Sequence, residues 1–399
     1  MAPMPDPIPL QEALALVLGH VHPLPSEPVE VGGAAGRVLA EPALAAVDLP
    51  PFPSSAMDGY ALRSADTPGT LPVAFRIAAG VPSPRPLEPG EAMAISTGGV
   101  VPQGADAVIQ HELVVETDNT VEVGSPVASG SNVRLPGRDV VAGSVVVEAG
   151  VRLGPAQIGA LAAAGVASVA CACRPRVAVL TTGTELRAPG AALGPGQIYE
   201  SNGPMLAVQL AAAGAEVLRL EPVADDEDAH RRALEEGLAG DVLVTSGGVS
   251  VGPHDLVRTV ERELGVEEVF WQVAVRPGKP VSFGVRDETL VFGLPGNPVS
   301  TLVGCELFVK PALLALQGAS DPGPRFAAGR LGEAVERNPS RDDLLRARSV
   351  VTDDGVVLRP VSGQESHMIV SAADSDVLVL VPRGDGRLEA GASVRYLPL

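Results

Sequence analysis

The chain has 399 residues, too many for one ordinary core, so two to four domains are expected. Hydrophobic residues make up 46% and aromatics only 3%, so the cores must rest on Ala, Val and Leu; 45 Gly and 38 Pro without a period exclude collagen and disorder. A formal net charge of -19 argues against nucleic acid or an anionic membrane as partner, since both need a basic face. Cations that meet an anionic ligand must therefore be gathered locally.

Leu10, Leu14, Val17, Leu18 and Val21 recur at helical spacing and predict an N-terminal amphipathic helix. The stretch has no basic segment ahead of it and does not read as a secretory signal. From about Val47 to Val147 short β-rich runs (VAFRIAA, EAMAIS, DAVIQ, TVEVGS, SVVVEAG) alternate with Pro and Gly, the texture of a separate β-rich insert. GPAQIGALAAAG then sets Pro155 just inside a helix start and Gly165 just past its end. The helices before and after the insert are expected to form one body. Arg176 to Gln317 alternates strands and helices: RVAVLTTG, a helix from about Pro204 to Ala213, AEVLRL, a helix over Asp228–Leu238, DVLVTSGG, a helix over Asp255–Leu264, and strands up to LVFGLP. That order implies a parallel sheet with right-handed crossovers, whose ligands sit beyond the C-terminal strand ends. After the linker DPGPR at 321–325, the runs VVLRPVSG, SDVLVLVP and ASVRYLPL predict a small barrel or sandwich. The expected division is 1–46 with 147–174, then 47–146, 175–320 and 325–399.

Three cysteines, Cys171, Cys173 and Cys305, are too few for a disulfide framework and read as small buried thiols. No uncharged apolar run reaches the length of a membrane span, and a cytoplasmic protein is expected.

Three glycine-rich turns fall at the carboxyl edge of the predicted sheet: TTGTEL with Gly183 and Glu185, TSGGVS with Gly247, Gly248 and Ser250, and LPGNPVS with Pro295, Asn297, Pro298 and Ser300. Glycine lets backbone N–H groups approach an anion closely. Taken singly, each turn reads better as a tight strand-to-helix connection, and none is a Walker A or G-x-G-x-x-G motif. The coincidence of all three at one edge is what points to an anionic, phosphate-bearing ligand. Asp225, Asp226, Asp255 and Glu185 are candidate oxygen ligands for Mg²⁺. Asp255 reads equally as an N-cap, and Asp226 better as a solvated helix start. RPGKP sets Arg276 and Lys279 around a stiff turn that can aim both cations at one oxyanion; a surface turn with two solvated charges fits as well. Asp58, in SSAMDGYAL, sits in a plain hairpin or projects a carboxylate into a cleft. No Ser/His/Asp order, H-E-x-x-H or C-x-x-C pair supports a serine or metal hydrolase.

SAMDGYA, ISTGGVVPQGADAVIQHE, TTGTEL, SNGPML, TSGGVSVGPHD, RPGKP and GLPGNPVS follow one another in the order found in the MoeA family, the molybdopterin molybdenumtransferases, a group that includes the C-terminal domain of gephyrin. The chain resembles that family over nearly its whole length. The resemblance implies an α/β plus β chain of four parts: an N-terminal linking and dimerisation domain, the β-rich insert, a MogA-like α/β domain and a C-terminal β barrel, assembled as an elongated homodimer. It also implies a cleft between the α/β and C-terminal domains of one subunit and the insert of the other. The implied reaction uses adenylylated molybdopterin, molybdate and Mg²⁺, releases AMP and allows contact with an adenylyltransferase of the MogA type.

By the same resemblance Asp58, Thr97 and Glu185 are cleft residues, and Asp225 and Asp255 handle the metal. Lys279 helps to hold molybdate, Pro295 and Pro298 stiffen a loop, and Arg348 and Ser366 are the barrel's contribution to oxyanion binding. Gly183, Gly247, Gly248, Ser250, Asn297 and Ser300 complete the substrate-binding set. Arg276 stands where the family often has Lys, which keeps the charge but replaces a point cation with a planar fork. Asp58 or Glu185 is the expected proton donor. An adenylyltransferase is the alternative enzyme, and a gephyrin-like scaffold the alternative class; a scaffold should carry a long disordered linker, and no such segment is seen.

Overall fold

The computed structural model describes residues 6–223, 227–248 and 256–399. The first helix, Leu10–Gly19, buries Leu10, Ala13 and Val17 along one stripe. That stripe packs into the α/β core beside Phe270, Phe283 and Phe308. The preceding residue pair is stitched to the same domain, with Ala274 N donating to Ile8 O at 2.8 Å. The first helix therefore does not join the helix that follows the insert, as its texture had implied. Helix Pro155–Ala163 belongs instead to a separate small core of Val31, Leu39, Leu153, Leu161, Val169 and Cys171. Strand Ser26–Glu30 pairs antiparallel with Ser168–Ala172 there, and this pairing is what joins the chain before the insert to the chain after it.

The insert is a six-stranded sheet in the order 107–110, 59–62, 92–95, 69–77, 120–123, 115–117. Alternation along its strands builds a core on each face. Tyr60 and Leu62 point to one, and Ala61, Met93 and Ile95 to the other.

The α/β domain holds a second six-stranded sheet, in the order 216–219, 176–181, 242–246, 289–294, 282–286, 267–271. The first four strands run parallel, 282–286 runs against them, and 267–271 pairs antiparallel with 282–286. Both faces are covered. Val177, Val179, Val242 and Val244 face one core, while Ala178, Leu180 and Leu243 face the other. This two-sided burial is why the strands read as unbroken apolar runs. Each such side chain contributes about 1.5–3 kcal/mol on burial. Four of the chain's seven Phe residues, Phe270, Phe283, Phe292 and Phe308, gather in the first core. The helical run Pro298–Leu316, which passes through a π-helical turn at Cys305–Val309, is long and apolar enough to cross a membrane, yet 78% of it is buried inside the domain. Its Glu306 is satisfied internally, by Gln209 Nε2 at 3.1 Å and Lys310 Nζ at 2.8 Å.

The C-terminal domain is a closed barrel of five strands rather than a sandwich. Asp342–Thr352 pairs through 347–352 with Gly355–Pro360 and through 343–347 with Val377–Val381; Ala327–Leu331 and Ser393–Pro398 complete the ring. One length of strand can serve both neighbours because it is eleven residues long. A two-residue strand, Val275–Arg276, leaves the α/β domain and pairs with Asp342–Asp343 at the barrel's margin.

Candidate active site

Three parallel strands end level with one another. Thr181 lies opposite Ser246, and Ser246 opposite Leu294. Their turns form one rim above a cavity of about 720 Å³ whose wall includes Gly183, Glu185, Gly248, Asn297 and Pro298. The turns need their glycines. Gly183 has φ 150, and a Cβ there would come within 2.5 Å of Glu185 Oε2. The Glu185 carboxylate thus rests directly over the turn. Gly247 has φ 96, and a Cβ would meet Thr182 O at 2.7 Å. The Gly247 N–H itself is donated to Leu294 O at 3.1 Å. The phosphate cradle expected of both glycine amides is therefore reduced to that of Gly248.

A polar network fastens the rim. Asn202 Nδ2 donates to Ser246 Oγ at 2.9 Å and to Gly296 O at 2.8 Å, and Ser246 Oγ donates to Pro295 O at 3.2 Å. Glu200, 3% exposed, accepts from Gly203 N at 2.6 Å and pairs with Arg219 at 3.3 Å. It holds the first turn of helix Asn202–Ala212 against the cavity wall. Glu200, Asn202, Tyr199 and the buried His230 line this cavity and were not singled out from the sequence. From the sequence, Asn202 stands only as the second residue of SNGPML, with no role given to it.

A second cavity, of about 600 Å³, continues from the first; Pro280, Pro295, Asn297 and His367 line both. Its cations are Arg276, Lys279 and Arg341, and Ser300 and Ser366 supply hydroxyls. Ser366 is clamped to the LPGNP turn: Asn297 Nδ2 donates to its Oγ at 2.8 Å and Val299 N to its carbonyl at 3.1 Å. The loop that carries Ser366 is in turn held by Arg346, the largest fully buried side chain. Its guanidinium donates to the carbonyls of Gly363, Glu365 and Met368. Burial pushes its pKa down from the usual arginine range.

Arg276 donates to Asp343, whose side chain is fully buried. Burial pushes the Asp343 carboxyl above its ordinary range, and Arg276 pulls the other way. Asp343 Oδ1 has no hydrogen-bond partner.

Arg348, the other arginine expected here, lines neither cavity. It projects from the barrel and donates to Asp374, through Nε to the carbonyl at 2.7 Å and through Nη2 to Oδ1 at 2.9 Å. Two residues along a strand is about 6.6 Å, enough to carry it past the loop that Arg346 reaches. Arg341, just before the barrel's long strand, lines the second cavity, while Arg346 holds the loop that carries Ser366.

Asp58 and Thr97 meet elsewhere. Thr97 N donates to Asp58 Oδ1 at 2.7 Å, at the edge of an insert cavity of about 420 Å³ lined also by Tyr60, Arg76, His111 and Glu116. Tyr60 and Arg76 both donate to Glu116. Burial first, then Glu116, push the Tyr60 hydroxyl up to about 12. No residue of this cavity lines the two rim cavities. Asp225, Asp226, Ser250 and Asp255 lie outside the described residues. Among the described residues, no three His, Cys, Asp or Glu side chains are grouped to hold a metal. Val223 is bridged to Thr182 at the rim, and Val257 of helix Leu256–Glu263 lines the first cavity.

Comparisons with known proteins agree along the whole chain. Family models match at residues 8–165 (MoeA N-terminal region, domain I and II), 178–315 (probable molybdopterin binding domain) and 328–399 (MoeA C-terminal region, domain IV). The chain is 32% identical over 397 residues to a molybdopterin molybdenumtransferase of Staphylococcus aureus (strain MRSA252), covering 98% of this chain and 95% of that one. It is 31% identical over 393 residues to a Staphylococcus epidermidis protein of the same name, covering 96% and 94%. A solved molybdopterin biosynthesis moeA protein from Pyrococcus horikoshii OT3 superposes with a TM-score of 0.84 at 28% identity, covering 99% of this chain and 100% of that one. A second such structure, described as from Pyrococcus horikosii, gives 0.79 at 34% identity, with coverage of 98% and 99%. The chain belongs to the MoeA family.

Proposed function

We propose that this protein is a molybdenum insertase that acts in molybdenum cofactor biosynthesis, taking adenylylated molybdopterin and molybdate and releasing AMP. The observation that carries the reading is the pair of adjoining cavities at the sheet rim. One is walled by glycine turns, polar groups and the carboxylates Glu185 and Glu200, and the other carries the cations Arg276, Lys279 and Arg341. A phosphate-bearing pterin suits the first and a tetrahedral dianion the second.

The residues divide the work between binding and proton handling. Gly248 and the 295–298 turn cradle the phosphates. Lys279, Arg341 and the outward edge of Arg276 neutralise the oxyanion. Ser366 Oγ accepts from Asn297, so its own O–H is free to donate to an oxyanion oxygen. Asp225 and Asp255, both hard carboxylate donors, would hold Mg²⁺, which neutralises charge on the phosphoanhydride. The two dithiolene sulfurs bond to molybdenum and their two thiol protons leave with one oxide as water; a water molecule cleaves the phosphoanhydride, giving AMP and the pterin's phosphate monoester. Little covalent chemistry falls to the protein, so positioning and electrostatics dominate. Glu185, fixed over the Gly183 turn, is the proton-handling carboxylate within the rim.

Asp58 and Thr97 enter the same reading through a homodimer, in which the insert cavity of one subunit faces the rim of the other. A cytoplasmic setting fits the reaction. The test is an incubation of the full chain with adenylylated molybdopterin, molybdate and Mg²⁺, following AMP release and molybdenum incorporation together. Both should require all three components. If ATP and molybdopterin yield the adenylylated product instead, the protein is an adenylyltransferase and the reading fails.

A further inference from the structure

The Arg276–Asp343 pair joins two opposite environments at the wall of the oxyanion cavity. The Asp343 side chain is fully buried and that of Arg276 is half exposed to the oxyanion cavity. Asp343 Oδ1 has no hydrogen-bond partner, the residue opposite it on the neighbouring strand is Val381, and the further cationic support comes at longer range from Arg341. We propose that Asp343 is a positioning residue through which oxyanion binding is coupled to uptake of a proton: Arg276 bridges the buried carboxylate and the cavity, and an anion that engages its outward edge drives Asp343 toward its protonated form. The inference rests on the anion-binding reading of this cavity.

The electrostatics set the direction. In the free protein one guanidinium stabilises the ionised carboxylate at close range, in a medium that screens poorly. A bound dianion places negative charge on the far side of that guanidinium and draws on its N–H donors. Asp343 then keeps its burial penalty and loses part of its compensation. The cheapest response is to bind a proton rather than to remain a charge with half a partner. The other charged groups that bear on Asp343 are Asp342 on its own strand and Arg341 just before it, and the titratable groups on the cavity wall that Arg276 shares are Lys279, Glu365 and His367. Asp342 is engaged elsewhere, accepting from Arg383 N at 2.8 Å. The chemical result is a site that takes a dianion and a proton together, close to where the proposed reaction must turn an oxide into water.

The test is calorimetric titration of the full chain with molybdate at about pH 6.5 and about pH 8, in buffers of low and high ionisation enthalpy, so that proton uptake is read directly. Wild type should take up a fraction of a proton per site, more at the lower pH, and its affinity should rise by up to about tenfold for each unit fall in pH. Asp343→Asn should bind molybdate with no uptake from this group and a flatter pH dependence. Arg276→Gln, which removes the bridge from the exposed side, guards against a folding defect in the first variant and should lose the same linkage. Equal uptake in wild type and both variants overturns the proposal while leaving the cavity's assignment intact. Lys279→Gln separates the two: if it binds molybdate like wild type, the anion sits elsewhere and both readings fall.

Discussion

Replacing Arg346 with Met tests whether the barrel's contribution to the site is built from inside the barrel wall. Four N–H···O contacts tie this guanidinium to the carbonyls of Gly363, Glu365 and Met368, and these carbonyls shape the loop that presents Ser366. A hydrogen bond to a charged group contributes about 1.5–3 kcal/mol, and a buried acceptor left without a donor costs about 1–3 kcal/mol. Part of that is offset, because Met spares the barrel a buried charge whose hydration was lost on folding. With the chain packed around a side chain 1% exposed, the net loss should be about 2–4 kcal/mol. Denaturant unfolding followed by barrel-sensitive amide exchange measures it. The loop loosens before the barrel opens, so KM for molybdate should rise at least about tenfold with a smaller change in kcat. Arg346→Lys should recover part of the stability and little of the KM, because one ammonium cannot span three carbonyls. Unchanged stability and unchanged KM in Arg346→Met would refute the positioning argument outright.

Three further outcomes are expected. Lys279→Gln should weaken molybdate use about 10- to 100-fold while leaving AMP binding within about twofold, as titrations of each ligand would reveal; equal losses would contradict the division between the cavities. The Asp343 carboxyl is raised in the fold, so its favourable contribution is full below the unfolded carboxylate range and is lost as pH rises through its folded value. Wild type should therefore lose thermal stability relative to Asp343→Asn between acid and neutral pH, and parallel Tm profiles would count against this. Cys171 and Cys305 are buried and their thiols are pushed up by burial, so a thiol reagent should label Cys173 first in the native protein and the other two only on unfolding.

The parallel sheet and its rim were legible because their signals are local. Strands buried on both faces must be apolar throughout, and TTGTEL, TSGG and LPGNP each interrupt such a run at the same end. The barrel's strands were visible as short alternating runs, but closure was not, because it depends on one long strand reaching two partners. The destination of the first helix was also hidden. Leu10, Ala13 and Val17 make a stripe that fits any apolar surface, and nothing in their spacing names the phenylalanines they meet. Arg346 and Arg348 show the same limit at the site. Both lie on one strand two residues apart, and only the path of the 363–368 loop decides which of them is enclosed. Glu200 carried no signal, since an acid before a helix reads as a solvated terminus until its burial is known. The resemblance supplied Ser366, the RPGKP turn had already marked Lys279, and the geometry added Arg341 and His367.

The short strand Val275–Arg276 has a mechanical consequence. It leaves the α/β domain but is hydrogen-bonded to the barrel, and Asp342 N also reaches back to Ala274 O at 2.9 Å. The cationic turn that follows is thus tied to the barrel at Arg276 and to the α/β domain by Val273 N, which donates to Lys279 O at 2.9 Å, while the LPGNP turn is tied to the barrel side through Ser366. A swivel of one domain on the other would have to break both this strand pairing and the Asn297–Ser366 contact, so the two cavities are held in one register.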